Sequence, residues 1–92
     1  MQYTTCFLVT FYTKDKRYID QDKFSTEGYT SEEDCLNEAK RFVRDRLGTK
    51  EWVTKYTSDL LTRDYATITK VKSKLIEEFS TDPNSVRFIV GK

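Results

Sequence analysis

TRDYATITKV, Thr62 to Val71, is the stretch whose reading decides the fold of this chain. Read as the start of a helix from Asp64 to Ser80, it supplies Tyr65, Ile68, Val71, Leu75, Ile76 and Phe79 as an apolar stripe. Against that stand Thr67, Ile68, Thr69 and Val71, β-branched residues that lose rotamer freedom in a helix. Read as a strand, Tyr65 to Val71 has the favoured composition, and it pairs with EWVTKYT, Glu51 to Thr57, across the connection SDLLTRD. Val71, Leu75, Ile76 and Phe79 then still form a short amphipathic helix. We take strand then helix as the reading.

Outward from this stretch, the flanking segments are clearer. SVRFIVG, Ser85 to Gly91, reads as a closing strand, and Asp82, Pro83 and Asn84 form a turn before it. At the other end, YTTCFLVTFYT, Tyr3 to Thr13, is β-branched and aromatic throughout. Alternation puts Phe7, Val9 and Phe11 on one face and Cys6, Leu8 and Tyr12 on the other, as expected of a central strand with both faces covered. KDKRYIDQDKF, Lys14 to Phe24, breaks this pattern with charges and reads as an exposed hairpin or long loop, with a short strand around Arg17 to Asp20.

Gly28 to Gly48 reads as one amphipathic helix. Thr30 with Glu33 makes a capping box, and Glu32, Glu33 and Asp34 sit at the positive end of the helix dipole. Cys35, Leu36, Ala39, Phe42, Val43 and Leu47 follow the 3.6-residue period, Arg41, Arg44 and Arg46 favour the negative end, and Gly48 supplies the stop.

The resulting order is β, long loop, α, β, β, α, β. It predicts a single α+β domain over residues 1–92, a four-stranded antiparallel sheet with two helices on one face, in a ferredoxin-like βαββαβ arrangement with a long β1–α1 excursion. The alternative is a strand or hairpin, two or three helices and a closing strand. Composition agrees with a folded domain: the chain of 92 residues carries six Tyr, six Phe and one Trp but only three Gly and one Pro. A chain of this length buries roughly 60 to 65% of its unfolded surface, enough to fold without metal or disulfide.

Charge and motifs narrow the function classes. Sixteen basic and fifteen acidic residues leave a net charge of +1, so no overall field draws the chain to nucleic acid or an anionic membrane. The longest apolar run, Cys6 to Val9, is far short of the roughly 20 residues of a membrane span, and the N-terminal stretch lacks the pattern of a signal peptide. A cytoplasmic location is the expectation. Histidine is absent, so the usual proton shuttle is too. Cys6 and Cys35 have no metal-ligand or C-x-x-C spacing and read as small buried apolar residues. The acids Glu32, Glu33 and Asp34 are explained by capping, and Gly28, Gly48 and Gly91 are too scattered to cradle phosphates. The expectation is a protein without enzymatic activity, metal or cofactor.

RDYATITK, Arg63 to Lys70, is similar to the base-stacking third strand of the RNA-recognition fold at Arg63, Tyr65 and Ala66, with Ile68 in place of valine. It departs at Asp64, Thr67 and Lys70, where that pattern has glycine and two aromatics. The resemblance implies a stacking face on which Tyr65 joins Phe7 or Phe11 beside basic residues. The same aromatics serve as a protein-binding patch, since Tyr, Phe and Arg are frequent interface anchors. The candidate partner-binding residues are Tyr65, Arg63, Trp52, Arg17, Tyr18, Lys70 and Lys72. Lys70 and Lys72 also suit the protection of a strand edge, and Trp52 suits a core position.

The expected function is a small protein-binding module whose partner is another protein. Small chains of this class are frequent among accessory and inhibitor proteins of bacterial viruses and mobile elements that bind a host protein. Single-stranded RNA or DNA is the alternative partner, and self-association through a strand edge or sheet face fits the same features.

Overall fold

Strand β1, Cys6–Tyr12, is the spine of the structure because its alternating sequence gives it two usable faces. The computed structural model describes residues 6–53, 59–70 and 74–81. Beyond β1 its elements are β2 (Tyr18–Ser25), α1 (Glu32–Arg46), β3 (Lys50–Val53), β4 (Asp59–Thr62), β5 (Tyr65–Lys70) and β6 (Lys74–Ser80). The order in the four-stranded sheet is β2-β1-β5-β6 with every pair antiparallel, while β3 and β4 form a separate two-stranded ribbon.

Thr62 to Val71 is therefore a strand at its centre, and β1 is central as expected. Register places Phe7, Val9 and Phe11 opposite Lys70, Ile68 and Ala66, on the face that α1 covers. Phe7, Val9, Phe11, Ala66, Ile68 and Phe79 meet Cys35, Ala39, Val43 and Leu47 of the helix side in one buried core. Each fully buried large side chain there contributes about 1.5–3 kcal/mol. Phe42 closes the core toward β2, its ring 6.0 Å from that of Phe11 and 5.2 Å from that of Phe24.

The helix forms where its sequence pattern places it, with a cap one residue later than expected. Ser31, not Thr30, is the N-cap: its hydroxyl accepts from the Asp34 amide at 3.1 Å, and the Thr30 hydroxyl donates to the Asp34 carboxylate. At the far end Gly48 adopts φ +90, a left-handed value that suits glycine, and its amide donates to the Arg63 carbonyl at 2.7 Å.

Three expectations are corrected. The second helix is strand β6, so one helix is present among the described residues and they do not show the ferredoxin-like arrangement. A bulge explains the misreading: the pairing slips between Ile68 and Thr69, which brings Ile76 and Phe79 to the core at a spacing of three, the spacing of a helix face. Glu77 lies on the helix-facing side, where its carboxylate meets Lys40 of α1 at 3.7 Å. Second, β5 does not pair with the segment after Glu51. It is held between β1 and β6, and Lys50–Val53 pairs instead with Asp59–Thr62, inside the stretch read as a connection. Third, of the two readings of the excursion after β1 the hairpin is the one formed, but its second strand is the eight-residue Tyr18–Ser25 and not a short strand around Arg17 to Asp20. The turn at Asp82 to Asn84, the closing strand at Ser85 to Gly91, and Lys72 lie outside the described residues.

Candidate interaction site

The hairpin joining β1 to β2 is a tight three-residue loop. Thr13 directs it: its carbonyl accepts from the Lys16 amide at 2.9 Å, its amide donates to the Arg17 carbonyl at 2.8 Å, and its hydroxyl accepts from the Arg17 amide at 3.0 Å. The same hydroxyl donates to the Asp15 carboxylate. That bond is the main reason the Asp15 carboxyl is held below its ordinary acidity range, with Arg17 adding to it. Lys16 closes the loop at φ +68, the left-handed position that such loops usually give to glycine or asparagine. Lys14, Asp15, Lys16, Arg17 and Tyr18 are all exposed, and Tyr18 at 58% is the most exposed large apolar side chain among the described residues.

Beneath this loop, on the sheet face opposite the helix, lies a small aromatic support. The rings of Tyr12 and Tyr65 are 5.6 Å apart and tilted at 50°, and the Lys16 ammonium sits 4.5 Å from the Tyr65 ring centroid. The Tyr65 hydroxyl donates to the Glu78 carboxylate. Burial, reinforced by that bond and by the negative charge of Glu78, pushes the Tyr65 phenol up to about 12. Tyr65 is buried and fully occupied, so it supports the loop and offers no ring surface to a ligand.

Arg63 is likewise a structural residue. It is 3% exposed, its Nη2 is 2.7 Å and its Nε 3.3 Å from the two carboxylate oxygens of Asp20, and its Nη1 donates to the Thr49 hydroxyl at 2.8 Å. Its guanidinium also lies 5.3 Å from the centre of the Phe11 ring. The Arg63 backbone bonds Thr49 and Gly48 on either side. One side chain thereby ties β2, the end of α1 and the base of the β3–β4 ribbon to the start of β5.

The other sequence candidates fall apart in space. Lys70 is half-buried and paired with Glu32 at 2.8 Å, joining β5 to the first turn of α1. Trp52 lies in β3 opposite Leu60, which is 46% exposed. The stacking face does not form as drawn, because Phe7 and Phe11 are buried under α1 while Tyr65 lies on the opposite side of the sheet. Among the candidates whose side chains are described, only Arg17 and Tyr18 remain together at the surface, joined by Lys14 and Lys16, which the sequence places within the wider excursion. The alternation of cations around Asp15 in TKDKR is the signal that marks them.

Cys35 is buried and its thiol is pushed up chiefly by that burial, while Cys6 is half-buried; both are free thiols. Among the described residues no cluster of acids and cysteines is arranged to hold a metal ion, and no helix is long and apolar enough to cross a membrane. Compared with family models, with curated proteins and with solved structures, the chain matches none.

Proposed function

We propose that this chain is a small, non-enzymatic protein-binding module that engages its partner through the β1–β2 turn. The observation that supports this reading is Tyr18, an aromatic ring left 58% exposed beside Arg17 at the end of a rigid hairpin. Binding residues are often carried on loops held by a stiff scaffold, and an exposed Tyr next to Arg is a favoured interface pair because both add contact area at modest entropic cost. An accessory or inhibitor role toward a host protein is the narrower form of the proposal, and it rests on how common such roles are among small chains of this class.

Self-association through β2 is the less favoured form of binding. In a continued antiparallel sheet, residues of like face meet, so pairing β2 with its own copy sets Asp22 against Asp22, or Asp20 against Asp22. Like charges directly opposite one another are destabilising, and charges on an edge strand are a known defence against such pairing.

The test is affinity capture from cell lysate with the tagged chain, with and without nuclease and at two salt concentrations, using wild type and Tyr18→Ser. A protein retained stoichiometrically through nuclease treatment by wild type, and lost with Tyr18→Ser, supports the proposal. Recovery of nuclease-sensitive nucleic acid instead would move the reading to a single-strand binder.

A further inference from the structure

We infer that the β1–β2 turn recognises an acidic protein segment, a short run of Asp and Glu side chains engaged by Lys14 and Arg17 with Tyr18 packed against it. This rests on the protein-binding reading and adds the chemistry of the partner.

The arrangement of charge in the turn carries the inference. Asp15 is the turn's own acid, and its carboxylate is occupied by the Thr13 hydroxyl. Lys16 is drawn back over the Tyr65 ring at 4.5 Å, where it fastens the loop to the sheet. Lys14 and Arg17 stay exposed at the tip, and neither is in an ion pair among the described residues. Thr13 holds the Arg17 amide and carbonyl and the Lys16 amide, so the turn that carries Lys14 is closed at both ends and needs little ordering when it meets a ligand.

The extent of the patch separates protein from nucleic acid. Nucleic-acid affinity grows with the number of phosphates neutralised along a track. Here the run of cations is short: Asp15 lies between Lys14 and Lys16, Lys16 is turned back to Tyr65, and on β2 the exposed Asp22 comes before the next cation, Lys23. A spot of two cations with no basic track leading from it matches a short acidic cluster better than a continuing phosphate chain. Carboxylates also suit Arg17, whose planar guanidinium donates paired hydrogen bonds to them. Tyr18 adds contact area of the kind that interfaces favour.

The experiment is an amide NMR titration of the intact chain with hexaglutamate, hexaglutamine and a six-nucleotide thymidine oligomer, repeated on Lys14→Gln/Arg17→Gln. The expected result is saturable shifts at Lys14 to Tyr18 with hexaglutamate, none with hexaglutamine, and at least fivefold weaker hexaglutamate binding in the double variant. The oligomer is expected to bind more weakly than hexaglutamate. Absence of shifts at the turn, or unchanged affinity in the double variant, overturns the inference. So does tighter binding of the oligomer at the same residues, which would assign the turn to nucleic acid. A captured protein partner whose binding is indifferent to the double variant would leave the protein-binding proposal standing and remove this one.

Discussion

Removing Asp20 should destabilise the fold more than removing the arginine that it pairs with. Arg63 is 3% exposed and surrounded by Phe11, Thr49 and the end of α1, so without Asp20 its guanidinium keeps its charge in a place that water does not reach. Breaking a buried pair from one side costs about 3–5 kcal/mol. The Asp20 side chain is 33% exposed, which screens the pair and discounts that figure to about 3 kcal/mol for Asp20→Ala. Arg63→Met keeps most of the buried stem and leaves Asp20 a path to solvent, so its cost is about 2 kcal/mol, chiefly the lost hydrogen bonds. In a chain of this size a loss of 1 kcal/mol lowers Tm by roughly 4–8 °C, so the two variants are resolvable by thermal and urea melts. A double-mutant cycle isolates the pair, with an expected coupling of about 1–2 kcal/mol. The reasoning is refuted if Arg63→Met proves the costlier change, or if both single variants lose less than about 0.5 kcal/mol.

Further outcomes follow from the same geometry. The Tyr65 phenol is raised in the folded state, so folding favours the protonated form; the associated stability is complete below about pH 10 and is lost as pH rises from there toward 12. Urea melts across that range should show a decline of about 2–3 kcal/mol from this group, and Tyr65→Phe should flatten that part of the profile. Lys16→Gly removes a left-handed lysine worth about 1–2 kcal/mol of strain but also a cation–aromatic contact worth about 0.5–1 kcal/mol, so a net stabilisation of about 0.5–1 kcal/mol is expected in chemical denaturation. Ser31→Ala should cost about 1 kcal/mol, and Thr30→Ala clearly less, because Ser31 holds the Asp34 amide. Phe79→Ala should cost about 3–5 kcal/mol, and hydrogen exchange should place the Phe79 amide in a protected strand beside Ala66.

Those parts of the fold whose side chains repeat with a regular period were legible before the structure. β1 and α1 display theirs openly, and the β-branched run at Thr67 to Thr69 outweighed the helical spacing around it. β6 was hidden for two reasons that act together. The bulge gives Ile76 and Phe79 a helical spacing, and the inward Glu77 removes the apolar residue that alternation would require. Among the described strands β2 lies at the edge of its sheet, where Gln21, Asp22 and Lys23 are exposed to solvent and Asp20 is held by Arg63. Composition reads such a strand as a loop.

The candidate site was half legible. Arg17 and Tyr18 could be picked out as an exposed pair within the excursion, but nothing local shows that Lys14 and Lys16 share a turn with them in different roles. Arg63 and Tyr65 read as surface residues because their partners are remote: Asp20 precedes Arg63 by 43 residues, and Glu78 follows Tyr65 by 13. A charged or phenolic side chain is buried only when such a partner exists, and pairing at that distance leaves no mark on the neighbouring sequence.

The most direct test of the binding turn is an affinity measurement between the captured partner and two surface variants, Tyr18→Ser and Arg17→Gln, each checked for an unchanged melting temperature. Removal of an interface anchor typically costs at least about 1.4 kcal/mol, so each variant should bind at least roughly tenfold more weakly than wild type while remaining as stable. Binding within about twofold of wild type in both variants would contradict the assignment of the β1–β2 turn as the site.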